Sequence, residues 1–116
     1  MKTYMVQTND GAKSLGGMSL GAGITYFSVV PLHSYLKDQG AVQYSSATDK
    51  EMLEAYKIIA QTEGICSALE PMAAAAEIIF RQAKDKPKDY IICLSLCGRG
   101  EKDLDTIQEH IGKDFE

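Results

Sequence analysis

Residues 89–105, DYIICLSLCGRGEKDLD, decide the fold class. Tyr90, Ile91, Ile92, Cys93, Leu94 and Leu96 form a run that is apolar except at Ser95. A strand with one wet face alternates apolar and polar residues, whereas a strand buried on both faces is apolar throughout. The run therefore predicts a central strand over 90–96. Gly98-Arg99-Gly100 follows at once, and Leu104, Ile107 and Ile111 then recur at helical spacing. Strand, glycine turn and helix in this order predict an α/β architecture. Glycines just past the carboxyl end of such a strand are a common seat for ligands. Their plainer use is to let the chain turn sharply, and a lone Gly-x-Gly does not separate the two.

Working outward, the segment before the strand is helical by pattern. Ser67-Ala68-Leu69-Glu70 has the form of a capping box, with Pro71 just inside the helix that follows. That helix, over 72–84, carries four consecutive alanines and Ile78, Ile79 and Phe80, so it is expected to be covered on more than one side. Thr48-Asp49-Lys50-Glu51 is a second capping box. Met52, Ala55, Tyr56, Ile59 and Ala60 then share one face at a period near 3.6 residues, and Gly64 ends the helix. Pro31 opens a short helix over 32–38, closed by Gly40, which carries His33. A histidine there is more simply a packed or half-exposed residue than a catalyst. Residues 3–8 and 42–45 read as short strands, the first ended by Asn9-Asp10-Gly11. Residues 12–23 hold Gly16, Gly17, Gly21 and Gly23. Gly16-Gly17-Met18-Ser19 is a loop rather than a phosphate cradle, since no strong strand leads in and no P-loop lysine follows.

A length of 116 residues predicts one domain, residues 1–116, able to bury a useful core. Apolar content of 45% and charged content of 24% are ordinary for a globular protein. A net charge of −4 with interspersed lysines and acids points away from nucleic acid and membrane partners. No apolar run is long enough to span a bilayer, and the first residues do not read as a secretory signal. The three cysteines, Cys66, Cys93 and Cys97, are odd in number. That pattern fits reduced thiols and a cytoplasmic setting better than a disulfide framework. In a strand, Cys93 and Cys97 share a face about 13 Å apart, too far to hold one metal ion.

The sequence also resembles a known family. Cys97-Gly98-Arg99-Gly100-Glu101-Lys102-Asp103 is similar to the (Ser)-Gly-Arg-Gly-Asp-Lys-Asp segment near the end of the tryptophan synthase β chain. Met1-Lys2-Thr3-Tyr4 resembles an internal Met-Lys-Thr-Tyr strand of that family. Residues 23–36, GITYFSVVPLHSYL, resemble its Gly-Leu-Asp-Tyr-Pro-(Gly/Ser)-Val-Gly-Pro-(Glu/Gln)-His-(Ser/Ala)-Tyr-Leu. Thr62-Glu63-Gly64-Ile65 and Ala68-Leu69-Glu70 resemble its Glu-Gly-Ile-Ile-Pro-Ala-Leu-Glu. The likeness runs nearly end to end, but it covers the C-terminal portion of the family, less than half of a full-length chain. It implies a partial three-layer αβα sheet domain, kept, oligomerised or rearranged.

The family uses pyridoxal phosphate. The resemblance places Glu70, Cys97 and Gly98 at cofactor-facing positions, and Tyr26 and Ser28 where backbone carbonyls help hold a monovalent cation. No catalytic residue carries over. The family's Schiff-base lysine and its Gly-Gly-Gly-Ser-Asn phosphate loop have no counterpart in this sequence. Cys97 stands where the family has the serine facing the pyridine nitrogen, and a thiol is the weaker hydrogen-bonding group. Thr25 replaces an aspartate that contacts substrate, Leu32 replaces a polar residue, and Pro71 replaces a serine.

Three functional readings follow. The first is a tryptophan synthase β-like fragment that is not catalytic alone and needs no cofactor. The second is one half of a β-replacement lyase, joining indole to L-serine to give L-tryptophan once another polypeptide supplies the upstream half. The third is thiol chemistry at Cys97, set against an inert buried cysteine. Apolar faces left without their sheet neighbours predict a homo-oligomer or a complementary upstream half as partner.

Overall fold

A computed structural model describes residues 2–8, 10–11 and 17–111. The chain divides into two compact units, Met1–Ser45 and Ser46–Glu116.

In the first unit, the expected strand over 3–8 is not formed as a strand; it bridges at isolated positions, Met5 antiparallel to Ser28 among the described residues. The Val6 N–H donates to the Phe27 carbonyl at 2.8 Å, and the Val29 N–H to the Tyr4 carbonyl at 3.1 Å. Helix α1, Pro31–Asp38, forms as its proline predicts, with Pro31 at a first-turn position where no N–H is needed. The N-terminal segment is tied to this helix. The Tyr4 N–H donates to Ser34 Oγ at 3.1 Å, and the Tyr4 hydroxyl donates to Asp38 Oδ1 at 2.6 Å. Lys2 Nζ lies 2.9 Å from Asp38 Oδ2. Residues 17–19 are irregular and lead to a 3-10 turn, Ala22–Ile24; residues 42–45 are irregular too, not the expected strand. Asn9 of the expected turn and Gly16 of the glycine loop lie outside the described residues.

The second unit is built on helices α2, Asp49–Glu63, α3, Glu70–Glu77, and α4, Leu104–Ile111. Helix α2 starts as its sequence demands. The Glu51 N–H donates to Thr48 Oγ1 at 3.3 Å, while the Thr48 N–H donates to Glu51 Oε2 at 2.7 Å. Met52, Ala55 and Tyr56 of α2, Leu69, Met72, Ala75 and Ala76 at α3, and Ile107 and Ile111 of α4 are buried and form the core. Leu104, expected on the same face of α4, is exposed. Helix α3 runs into a π-turn, Ile78–Gln82, closed by the Ala83 N–H donating to the Ile78 carbonyl at 2.9 Å. The alanines serve close approach: α2 and α3 pack directly on each other, and Ala75 and Ala76 are buried while Ala74 is exposed.

The start of α3 differs from expectation. Its N-cap is Leu69, which has no capping side chain, and the Ser67 hydroxyl is buried with no hydrogen-bond partner among the described residues. The cap comes from a distant residue instead. Asp103 Oδ2, itself buried, accepts the Leu69 N–H at 2.9 Å. A carboxylate can accept that bond and also favours the positive end of the helix dipole, so it outcompetes a local hydroxyl.

The predicted central strand is not formed, nor is any sheet layer among the described residues. Residues 91–97 are irregular, and among the described residues the second unit holds an isolated antiparallel bridge, Ser67 to Arg99. Among those residues the run has no neighbouring strand. A strand is held by the N–H and C=O groups of a second strand, and the regular structure of this unit is otherwise helical. Tyr90, Ile91 and Ile92 are consequently exposed, Ile91 at 85%.

Asp103→Ala is expected to lower the unfolding free energy by about 2 kcal/mol, the cost of leaving a buried donor unpaired. Ser67→Ala is expected to leave stability unchanged or slightly raised, since the hydroxyl it removes has no partner. Urea denaturation followed by far-ultraviolet circular dichroism measures both, and equal losses would return the cap to Ser67.

Candidate functional site

The start of α3 gathers the chemistry of the second unit. Glu70, the first residue of that helix, points its carboxylate at Lys102, whose Nζ lies 2.9 Å from Oε1 and 2.8 Å from Oε2. The same ammonium lies 2.8 Å from Asp103 Oδ2. One lysine thus bridges two carboxylates, and one of those carboxylates caps the helix. Its hydrogen bonds to Asp103 and then to Glu70 hold the Lys102 ammonium above the ordinary lysine range.

The 97–100 turn lies against the Cys66–Ala68 segment. Gly98 has φ +81°, a backbone conformation that side chains rarely adopt, and a Cβ there would sit 3.1 Å from the Ala68 Cβ. A Cβ on Gly100 would sit 2.6 Å from the Cys66 carbonyl oxygen, inside contact distance. The two glycines are therefore explained by the turn and by close backbone packing. Cys97 is exposed, which removes the buried-thiol expectation, as are Cys66 and Cys93.

Beneath this turn, Tyr56 is buried in the core. Burial, then the neighbouring Cys66 thiol and the Asp103 carboxylate, push its phenol up to about 12.

The cation-site candidates fall in the other unit. Tyr26 is 75% exposed, and Ser28 forms the bridge to Met5. The carbonyl engaged in that bridge is that of Phe27, between them. By the alternation of paired backbone, the Tyr26 and Ser28 carbonyls face the other edge. The Thr25 hydroxyl turns back to donate to the Ala22 carbonyl at 2.8 Å, so it closes the 3-10 turn rather than reaching outward. His33 Nδ1 lies 3.0 Å from the Tyr44 hydroxyl beside a shallow, mainly apolar cleft with Tyr4, Val29 and Lys37. Among the described residues no cluster of histidine, cysteine, aspartate and glutamate has the arrangement of a metal site.

The structure thus sets Gly98 against Ala68 and Glu70 against Lys102, within one corner of the second unit. It leaves Tyr26 and Ser28 in a separate unit. Reading the sequence missed Lys102 as the partner of Glu70 and Asp103 as the cap. The signal available was their place in the Glu101-Lys102-Asp103 run right after the glycines. For pyridoxal phosphate the donor set does not fit. Glu70 is occupied by the Lys102 ammonium, and Cys97 offers an exposed thiol in place of a hydroxyl.

No family model matches the chain. Direct comparison with curated proteins is more informative. The tryptophan synthase β chain of Dinoroseobacter shibae is 43% identical over 98% of this chain. That of Ruegeria pomeroyi is 44% identical over 98%, and that of Allorhizobium ampelinum 45% identical over 96%. The chain spans 27% of the length of each of these relatives. It is therefore a partial-length relative of a much longer synthase subunit. Over nearly its whole length it is similar to a C-terminal portion of tryptophan synthase β chains.

Alkaline titration followed by tyrosine absorbance is expected to show one of the six tyrosines ionising late, near the value of about 12 carried by Tyr56. The phenol is neutral in both states below its ordinary value of 10.0, so its contribution to stability is fully present there. Between 10.0 and about 12 the unfolded chain ionises first and that contribution is lost. Tyr56→Phe is expected to remove the late step and to flatten this fall in stability.

Proposed function

We propose that this chain is a tryptophan synthase β-like segment that does not build a pyridoxal phosphate site by itself and does not catalyse by itself. The observation that carries the proposal is the occupation of Glu70. The one cofactor-facing carboxylate assigned by resemblance is closed by Lys102 at 2.8–2.9 Å, in a chain that spans 27% of its relatives. The family chemistry needs an aldehyde held as an imine and a seated phosphate. Neither the lysine motif nor the phosphate loop for that is in this sequence.

In this reading, residues 1–116 act as one domain of the αβα family. Its sheet layer forms where the 90–96 segment meets a neighbouring strand. Glu70, Cys97 and Gly98 are its contribution to a cofactor wall, and Tyr26 and Ser28 its contribution to a cation site, when the missing groups come from outside these residues. The domain works in the cytoplasm, away from nucleic acid and membranes. What supports the last point is the acidic net charge of −4 and the lack, among the described residues, of a helix long and apolar enough to cross a bilayer.

A titration with pyridoxal phosphate, followed by imine absorbance, borohydride reduction and peptide mass mapping, tests this. The expected result is no saturable band and no stoichiometric adduct at any of the ten lysines. A single stoichiometric adduct overturns the proposal, because it shows that these residues seat the cofactor unaided.

A further inference from the structure

In the first unit, Tyr4, Val29, His33, Lys37 and Tyr44 line a cleft of about 200 Å³ among the described residues. Its walls are tied together. His33 and Lys37 lie one turn apart on α1 and share a face. The Val29 N–H donates to the Tyr4 carbonyl at 3.1 Å, and the Tyr4 N–H donates to Ser34 Oγ of α1 at 3.1 Å. The Tyr44 hydroxyl lies 3.0 Å from His33 Nδ1, with the two rings 6.0 Å apart and nearly perpendicular. Two phenol rings and a valine thus form apolar walls that are fixed to one helix and its lead-in. An apolar cavity of about 150 Å³ takes up one benzene ring. This cleft therefore has room for a single ring with a small substituent.

Charge decides the substituent. Lys37 brings a positive charge to the lining, and its Nζ sits 4.8 Å from the centre of the Tyr4 ring. Residues 1–45 hold three lysines against two aspartates, Asp10 and Asp38. Neither aspartate lines the cleft. Asp38 accepts the Tyr4 hydroxyl at 2.6 Å and lies 2.9 Å from Lys2 Nζ, and Asp10 accepts from the Thr8 hydroxyl. An ammonium carries three N–H donors, so resting over a ring face leaves it donors for an anion. We infer that this cleft binds a small aromatic carboxylate, with its ring among Tyr4, Val29 and Tyr44 and its carboxylate on Lys37. One ammonium matches a singly charged carboxylate, whereas a phosphate dianion calls for further donors. None of these residues is a cofactor-facing or cation-facing position, so the site stands or falls independently of the cofactor reading.

Benzoate titrated into the full chain, followed by heteronuclear NMR of the backbone amides, tests this. Saturable shifts at Val29, Lys37 and Tyr44 are expected. Benzamide, the neutral counterpart, is expected to bind about tenfold more weakly, the loss of one charge-assisted hydrogen bond. Lys37→Gln is expected to weaken benzoate by a similar factor, and Lys37→Arg to retain it. Lys50→Gln, on α2 in the other unit, is expected to leave it unchanged. Tyr44→Leu is expected to weaken benzoate and benzamide alike, since it removes a wall and not a charge. A dispersed amide spectrum shows that each variant is folded. Shifts that rise without saturating, or that centre outside the first unit, overturn the inference. So does equal affinity for benzamide, or a Lys37→Gln variant indistinguishable from Lys50→Gln.

Discussion

The hydrogen bond from the Leu69 N–H to Asp103 is the joint on which the second unit turns. It links residues 34 positions apart in sequence and lies in the interior. Helix α3 cannot start cleanly without an acceptor for its first N–H groups, and its own sequence supplies none in the right place. The acceptor comes from the 3-10 turn, Gly100–Asp103, that leads into α4. One bond therefore sets where α3 begins and where the last helix is anchored. The glycines at 98 and 100 are the condition for it. Any side chain on Gly100 would meet the Cys66 carbonyl and lift the turn away from the helix it caps.

Local signals were legible in the sequence where they were self-contained. The Thr48–Glu51 capping box, the Gly64 stop and the Pro31 start all act through neighbours within a few residues, and all three appear as read. The Met52, Ala55 and Tyr56 face follows from helical periodicity alone and is buried. The failures are non-local. Ser67 looks like a cap because the pattern is right, but a carboxylate 34 residues away from Leu69 wins the bond. Residues 90–96 look like a strand because their composition is right, but composition does not provide the neighbour that a strand requires. The same limit applies to Glu70. Its place at a helix start was clear from the sequence, and its partner was not.

The likeness to tryptophan synthase β chains rests on identity over nearly the whole chain, and within it the Glu70 carboxylate is engaged by Lys102. The Glu70 corner sets one ammonium against two carboxylates, so the Glu70 carboxylate is engaged within the chain rather than turned to a ligand. The glycines that resemble a ligand turn are fully accounted for by packing.

The π-turn at Ile78–Gln82 has a consequence for how this sequence tolerates change in length. Such a turn holds one residue more than the α-helical turn it replaces, with its hydrogen bond reaching from residue 83 back to 78. Loss of one codon within it would convert the turn to ordinary α-helix. The α2–α3 packing upstream, through Met72, Ala75 and Ala76, would stay in register. Downstream, everything would rotate by about 100°, and Arg81, which bridges Glu77 and Glu51, would swing off its partners. Helix α3 therefore has a built-in site where a one-residue indel is absorbed in the backbone, and an ion pair from Arg81 within the same turn that records the event.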